Sequence, residues 1–293
     1  QFDYMMFKQA TELVLANGGA VIQNFSVTEV NVKDGPNGPM IAGVTGYLGP
    51  KKDGNTMSFK APLTIGAAGY NCPVSKKITQ SIFNEPFRDD EHFCGGYREY
   101  WTGVGGCDGG TGPIEIHFID EVNPGYFWIF PVSENVVNVG VGMVISEQRK
   151  QKGMRSSLKK MQKWITSESP RFSHRFKNAQ MVEGTGKGWQ LPFGSPRMKP
   201  ASFQPRRGAM AGAMCVGDSA SLVDPFTGEG IGNALVSAKL TAKIFDREKH
   251  ANGFPADQAA HYMESLWEEL GNELSNSYLS LIHISEPTRQ HWI

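Results

Sequence analysis

The chain has 293 residues, with 29 basic and 29 acidic side chains and a formal net charge of zero at pH 7. Balanced charge argues against a nucleic-acid-binding protein, because such proteins usually carry a basic footprint. Hydrophobic residues make up 40% of the chain and aromatic residues 11%, so the composition provides a packed core and excludes disorder. The chain has 34 glycines, a larger fraction than the usual ~7%. They follow no collagen-like period, so the excess indicates tight turns and close approach of the backbone to a ligand.

Neither the cysteines nor the histidines form a recognisable motif. The four cysteines are Cys72, Cys94, Cys107 and Cys215. They contain no Cys-x-x-Cys pair and are too sparse for a disulfide scaffold, so we expect buried, reduced thiols in a cytoplasmic protein. The seven histidines lack metal-ligand spacing, and no metal site is predicted. The sequence shows no apolar run of about 18 residues and no signal peptide.

The first third of the chain predicts one helix and several strands. A helical pattern from Phe2 onward should end at Asn17, where two glycines follow. Further elements in chain order are a strand at 20–32, a turn at 34–39, a return strand at 41–47, a short buried strand at 60–66 and a short helix at 73–83.

The middle of the chain is dominated by strands. Four runs separated by turn residues predict strands at 93–102, 114–119, 126–131 and 136–145. Neighbouring strands without intervening helices favour an antiparallel sheet. A proline-rich crossing segment is predicted at 191–205.

A basic segment, Arg149 to Lys163, lies between the predicted strand at 136–145 and the crossing segment at 191–205. Its seven Lys and Arg side chains are interleaved with apolar ones, a pattern that predicts a basic amphipathic helix. Two interpretations stay open. The basic face is either solvated or makes peripheral contact with an anionic membrane or an acidic head group.

The most informative stretch is 209–247. Small apolar residues at 209–216 predict a strand buried on both faces, and a long helix is predicted from Ile231 to Arg247. The glycine-rich loop between them would present free N–H groups and a helix dipole to an anion. An ordinary strand-to-helix turn is the alternative.

Two motifs in this chain resemble one family. Gly217-Asp218-Ser219-Ala220, followed by residues 224–231 (DPFTGEGI), resembles the second flavin motif of the geranylgeranyl reductase family. That family belongs to the para-hydroxybenzoate-hydroxylase-like FAD oxidoreductases. Residues 124–131 (PGYFWIFP), continuing to 138–142 (NVGVG), are similar to its substrate-domain signature. The two motifs are long and stand in the expected order.

The resemblance implies an α/β (α+β) fold. A Rossmann-like FAD-binding domain would consist of 1–83 and 205–250, and an inserted antiparallel substrate domain would span 84–204. A helical segment would follow at 251–278. The implied activity is FAD-dependent reduction of carbon–carbon double bonds in isoprenoid chains, with NAD(P)H or reduced ferredoxin as the electron donor.

The resemblance also implies site residues. Asp218 would hydrogen-bond the ribityl chain of FAD, and the loop from Pro225 to Ile231 would lie against the flavin ring. The expected FAD-contacting residues are Gly69, Gly217, Asp218, Ala220, Pro225, Gly228, Glu229, Gly230 and Ile231. Tyr126, Trp128 and Phe130 would line the site of an isoprenoid or prenyl-lipid substrate, with packing in a β core as the alternative.

The chain departs from the family pattern in two places. Ala68 stands where the middle motif usually carries Asp, which removes a hydrogen-bond acceptor. No GxGxxG occurs, so we expect the pyrophosphate-binding unit upstream of Gln1. Residues from 279 onward resemble the translation of a sequencing adapter, and we expect no structural role for 279–293.

Two other functions stay open at this point. The same scaffold serves flavin monooxygenases and halogenases, because a fold does not determine its chemistry. A non-catalytic lipid-binding protein that has lost its flavin is the alternative from another class.

Overall fold

The computed structural model of the protein describes residues 2–50, 55–107, 112–197 and 206–285. In chain order the strands are β1 (Phe25–Gly35), β2 (Gly38–Leu48), β3 (Asn55–Lys60), β4 (Thr64–Gly66), β5 (Phe93–Thr102), β6 (Glu115–His117), β7 (Gly125–Ser133), β8 (Val136–Val144), β9 (Gln180–Met181), β10 (Lys187–Pro192), β11 (Ala209–Met210) and β12 (Ala213–Cys215). The helices are α1 (Phe2–Ala16), α2 (Pro73–Lys76), α3 (Ile145–Lys150), α4 (Leu158–Ser167), α5 (Ser173–Phe176), α6 (Ile231–Ile244) and α7 (Ala256–Ser285). This mixture of helices and sheets confirms the predicted fold class.

The first part of the chain follows the sequence patterns closely. Helix α1 ends as predicted, and the side-chain amide of Asn17 donates to the carbonyl of Leu13 at 2.8 Å. Strands β1 and β2 form the predicted hairpin, in which Gly35 lies opposite Gly38. A third strand, β3, pairs with β2 and was not predicted.

The large sheet has the strand order β10-β5-β8-β7-β6, and β9 also pairs with β5. All of its pairings are antiparallel, as the strand pattern predicted. Strand β10 lies partly inside the segment that we predicted as a proline-rich crossing. One face of this sheet is covered by α4, which buries Leu158, Met161 and Ile165 against Phe127 and Ile129.

The predicted basic helix at 149–163 is wrong as a single element. Helix α3 ends at Lys150, and α4 begins only after its N-cap, Ser157. Gly153 lies between them with φ +64°, a conformation that interrupts a helix and favours glycine. The positive charges therefore lie on two short helices and their connection.

The predicted strand at 209–216 is also divided. Gly212 turns the chain with φ +79°, and a Cβ there would lie 1.8 Å from the carbonyl oxygen of Ile41. The result is a tight hairpin of β11 and β12, in which β12 also pairs in parallel with β4. The expected burial is confirmed, because every residue of β12 is buried.

The boundary predicted at residue 279 is wrong. Helix α7 continues through it to Ser285, and Leu281 is only 6% exposed, packed with Val144, Phe193 and Val223. The helix is amphipathic, and its apolar face packs against β11 and β12. This packing explains why the helix continues past residue 279. Residues 286–293 lie outside the described residues. No helix in the described ranges is both long and apolar enough to cross a membrane.

Candidate functional site

The chain leaves β12 through a tight turn, Gly217–Ala220, that brings it close to α6. Gly217 has φ +55°, and its N–H donates to the Ser237 hydroxyl at 2.9 Å. A Cβ on Gly217 would lie 2.9 Å from the Cβ of Ala234, so a larger residue would push the strand end and the helix apart. Packing against α6 therefore requires a glycine at position 217.

Asp218 places a carboxylate in this turn, and no other described residue forms a hydrogen bond or ion pair with it. Its side chain is partly buried, and desolvation raises the pKa of its carboxyl above the usual range. Within the described ranges the only group that hydrogen-bonds the carboxylate is the residue's own backbone N–H. Gly230 lies beside it, and a Cβ there would be 3.2 Å from Oδ1. Such a carboxylate can accept a hydrogen bond from a ligand hydroxyl.

The loop after Asp218 is held by Asp224. Its Oδ1 accepts hydrogen bonds from the N–H groups of Phe226 (3.0 Å) and Thr227 (2.7 Å) and from the Thr227 hydroxyl (2.8 Å). Gly228 continues the loop with φ +72°. This turn fixes the backbone from Pro225 to Gly228, so the loop presents a preformed surface to a ligand.

The N-terminus of α6 already has a carboxylate. Glu229 Oε1 accepts a hydrogen bond from the N–H of Gly232 at 2.8 Å. This contact satisfies one of the free N–H groups that we expected to face the flavin next to Ile231. A negative group that binds the N–H of Gly232 would have to displace the Glu229 side chain.

Gly69, from the middle flavin motif, lies next to the turn Gly217–Ala220. Gly69 has φ +69°, and its carbonyl accepts a hydrogen bond from the Ser219 hydroxyl at 3.1 Å. The structure thus brings Gly69 next to the turn that contains Asp218 and Ala220, about 150 residues away in the sequence. Ala68 offers no side-chain hydrogen bond to this turn.

A slot of about 250 Å³ lies between the large sheet and the loop. The three predicted substrate residues, Tyr126, Trp128 and Phe130, all line it, whereas Phe127 and Ile129 point into the core on the other face. Pro225 and Gly228 of the loop form the opposite wall. Two of the nine predicted flavin residues thus lie at the same cavity as the three predicted substrate residues.

Two contacts join the walls of the slot. The Tyr126 hydroxyl donates to the carbonyl of Thr227 in the loop. Phe226 stacks on Phe118, with ring centroids 5.4 Å apart. These two contacts help to hold the loop in position across the slot.

Trp128 lies flat on the sheet because β8 provides no side chain beneath it. A Cβ on Gly140 would lie 2.1 Å from the Trp128 ring, and the indole N–H donates to the side-chain oxygen of Asn138 at 3.0 Å. Gly140 and Gly142 belong to the quoted sequence motif, which gave no sign of this role.

Other lining residues were missed by sequence reasoning. Cys94, Leu191 and Phe193 line the slot from β5 and from β10 and the residue after it. The alternation within the predicted strand 93–102 could have indicated Cys94. Nothing local indicated Leu191, because its strand was not predicted.

The slot contains no charged side chain among its described lining residues. Burial raises the pKa of the Cys94 thiol to about 12 and also raises the pKa of the Tyr126 hydroxyl. Both groups are therefore neutral at physiological pH. The cavity suits an apolar ligand.

A cluster outside the slot has metal-ligand chemistry. Asp89, Glu91 and His92 bring potential ligand atoms within 4.8 Å of one another. His92 Nδ1 is 2.6 Å from the Ser195 hydroxyl, and its Nε2 lies 3.7 Å from Asp89. Burial lowers the pKa of His92 to about 4. The protein's own contacts account for this cluster.

Most of the large sheet lies in a segment that matches a known family model. Residues 96–185, which contain most of the large sheet and the aromatic wall of the slot, match the family model described as the geranylgeranyl reductase catalytic domain. This part of the chain is similar to the catalytic domain of the geranylgeranyl reductase family. The match places the family's catalytic-domain signature on the sheet that carries Tyr126, Trp128 and Phe130.

Curated relatives are similar over a longer part of the chain. The chain is 27% identical over 228 residues to digeranylgeranylglycerophospholipid reductase 1 of Methanococcoides burtonii, covering 77% of this chain and 49% of that protein. It is 30% identical over 158 residues to menaquinone reductase of Mycobacterium tuberculosis, covering 52% of this chain and 34% of that protein. The chain spans about half the length of the first of these curated relatives.

Solved structures show the same fold. A geranylgeranyl bacteriochlorophyll reductase-like protein of Thermoplasma acidophilum aligns with a TM-score of 0.72 at 19% identity, covering 96% of this chain and 62% of that one. A myxobacterial chondrochloren halogenase aligns with a TM-score of 0.66 at 17% identity, covering 99% and 60%. At these identities the likeness concerns the fold alone.

Proposed function

We propose that this chain forms the substrate slot and part of the flavin site of an FAD-dependent oxidoreductase that reduces carbon–carbon double bonds of isoprenoid chains. The observation that supports it most is the uncharged slot between Tyr126, Trp128 and Phe130 on one side and Pro225 and Gly228 on the other. An elongated apolar substrate matches this lining. The similarity to the family's catalytic domain supports the same chemistry.

The residues of the two turns fit FAD. Asp218 would accept a hydrogen bond from the ribityl chain, since its carboxylate has no other partner among the described residues than its own N–H. Gly217 and Gly69 would allow close backbone approach beside it, and the loop from Pro225 to Gly230 would face the ring. When bound, FAD supplies the hydride for reduction of the double bond.

The protein's own contribution is positioning and exclusion of water. The slot holds an alkene against the loop, while neutral Cys94 and Tyr126 offer no charge that would draw water into it. A dry cavity protects a hydride from loss to side reactions. NAD(P)H or reduced ferredoxin is proposed as the source of electrons, and a prenyl lipid as the substrate.

The flavin site is tested by Asp218→Asn. We expect flavin affinity to fall by roughly 1.5–3 kcal/mol, the value of a charge-assisted hydrogen bond. Stability at pH 7 should not fall, because burial disfavours the ionised Asp218 that the variant removes. Flavin fluorescence titration and urea denaturation measure the two effects, with the exposed Asp257→Asn as the matched control. Unchanged flavin affinity would remove Asp218 from the site.

The chemistry is tested without oxygen. A form of the protein that retains FAD is reduced chemically and mixed anaerobically with a geranylgeranyl lipid. We expect a mass gain of two hydrogens for each reduced double bond, measured by mass spectrometry. If the lipid is untouched and an oxygen-dependent hydroxylation or halogenation of a small substrate appears instead, the reductase proposal is wrong. Lipid binding without any flavin binding would instead indicate a non-catalytic lipid-binding protein.

A further inference from the structure

The face of the large sheet that carries the slot also carries two cations just beyond it. Antiparallel register places Arg98 of β5 directly opposite Lys187 of β10. The row continues across the sheet through Gly140 of β8 to Trp128 of β7. Side chains alternate between faces along a strand, so Arg98 lies on the same face as the slot residue Cys94.

Two like charges at directly opposite positions destabilise a sheet. Nothing within the described ranges neutralises them, because no ion pair there includes Arg98 or Lys187. The nearest carboxylate in sequence, Glu99, points to the other face and accepts hydrogen bonds from Tyr97 and Gln162. The two cations therefore have no carboxylate partner among the described residues.

The Arg98 guanidinium is also held in place. Its Nη1 donates to the carbonyl of Thr185 at 2.8 Å, and its central carbon lies 4.5 Å from the centre of the Tyr100 ring. An arginine has five N–H donors in a planar fork that matches a phosphate, so donors remain for an anion. Lys187 is exposed and can reach the same anion from the edge strand.

We propose that Arg98 and Lys187 bind the phosphate group of the prenyl-lipid substrate, whose hydrocarbon chain then crosses Trp128 towards Tyr126. This inference rests on the proposed function, and it selects an anionic head group. The names of the relatives include a glycerophospholipid, which carries a phosphate, and menaquinone, which carries none. Strand spacing and residue rise place Arg98 about 12 Å along the sheet from Tyr126. A prenyl chain that leaves the phosphate there extends through the slot.

The test uses two ligands with the same chain and different charge. Equilibrium binding of geranylgeranyl diphosphate and of neutral geranylgeraniol, each below its micelle concentration, is measured for the protein without added flavin. We expect the diphosphate to bind at least tenfold more tightly, and this preference to disappear in the double variant Arg98→Gln, Lys187→Gln. The control is Lys159→Gln, Lys160→Gln, which removes two exposed charges from α4 on the opposite face and should keep the preference.

Three results would overturn the inference. Equal binding of the two ligands by the unaltered protein would show that no anion subsite exists. A preference that survives in the double variant would assign it to other residues. Inorganic diphosphate binding as tightly as the prenyl diphosphate would show a free-anion site without a role for lipid. Each readout is binding, so failure of the reduction proposed above would not be mistaken for failure of this subsite.

Discussion

Gly140 shapes the slot although it contributes no side-chain atom, because the Trp128 ring rests on it. The Trp128 indole occupies the space where a Cβ would stand, and Asn138 fixes the ring through its N–H. A flat indole keeps the floor of the cavity smooth. The glycine is therefore needed for the position of an aromatic ring rather than for an unusual φ angle.

We predict that Gly140→Ala destabilises the protein by about 1–3 kcal/mol, because the new methyl group forces the Trp128 ring to move. Urea denaturation followed by circular dichroism measures the change. Gly96→Ala is the matched control on the neighbouring strand, where the nearest atoms to a Cβ are 4.0 Å away. We expect the control to stay within about 0.5 kcal/mol of the unaltered protein. Equal effects would mean that Trp128 does not rest on Gly140.

How far the site could be predicted depends on the range of the interactions. Asp218 and Gly217 were identifiable because their motif is contiguous. The occupation of the α6 terminus by Glu229 was not, since a carboxylate before a helix can either cap it or turn outward. The meeting of Tyr126 with Thr227 joins residues 101 positions apart, and no local pattern encodes it.

At the scale of elements, an ion pair joins Glu115 of β6, at the edge of the large sheet, to Arg175 of α5. The guanidinium donates to both carboxylate oxygens at 2.6 and 2.7 Å, and Arg175 Nε donates to the carbonyl of Gly105. His117 adds a contact of 2.9 Å to the same carboxylate. Arg175 lowers the pKa of the Glu115 carboxyl below its usual range.

This pair predicts a pH dependence. Because the pKa of Glu115 is depressed on folding, its contribution is complete above the unfolded value and is lost as pH falls through the folded value. We expect Glu115→Gln to be less stable than the unaltered protein at pH 7 and the difference to shrink below about pH 4. Urea midpoints at pH 7, 5 and 3 measure it. The exposed Glu134→Gln should show no such trend, and a constant difference for Glu115→Gln would contradict the pairing.

Helix α7 offers a second test at this scale. Leu281 is 6% exposed in a small cluster, whereas Leu279, two residues earlier, is 49% exposed. We predict that Leu281→Ala lowers the free energy of unfolding by about 2 kcal/mol or more. Leu279→Ala should change it by less than about 0.5 kcal/mol. Thermal and urea denaturation compare the two, and equal small effects would show that the helix end does not pack.

Strands and helices were predictable where the pattern was strong. The four central strands combine alternation with clear turns, and α1 has both a regular apolar spacing and a stop signal. Strand β10 was missed because its sequence, KGWQLP, contains a glycine, a proline and little alternation. The break in the basic helix depends on Gly153, whose left-handed φ is decided by the packing around it.

At the scale of the whole molecule, the exposed lysines of α4 lie on the opposite face of the large sheet from the slot. Leu158, Met161 and Ile165 turn that helix towards the sheet, so its charged side faces outward. A membrane held through these lysines would lie behind the sheet. A lipid would then have to enter the slot along an edge of the sheet.

The membrane contact that the sequence left open for the basic segment, beside a solvated face, is tested with vesicles. We predict that replacement of Lys159, Lys160 and Lys163 by Gln weakens binding to anionic vesicles by about 1 kcal/mol for each charge, and that salt weakens it too. Cosedimentation measures both effects. Replacement of Lys33, Lys239 and Lys243, which are equally exposed elsewhere, is the control. If the two triple variants bind equally well, the α4 face is a solvated surface.

The hydrogen bond from Tyr126 to Thr227 joins the aromatic wall of the slot to the loop proposed to face the flavin. A ligand that shifts the tyrosine therefore shifts the loop, and a cofactor that orders the loop also orders the tyrosine. Thermodynamic linkage makes this influence reciprocal, so whatever factor the lipid adds to cofactor affinity, the cofactor must add to lipid affinity. The affinities for lipid and cofactor are therefore coupled while this hydrogen bond is intact. Tyr126→Phe removes the bond and should make the two affinities independent.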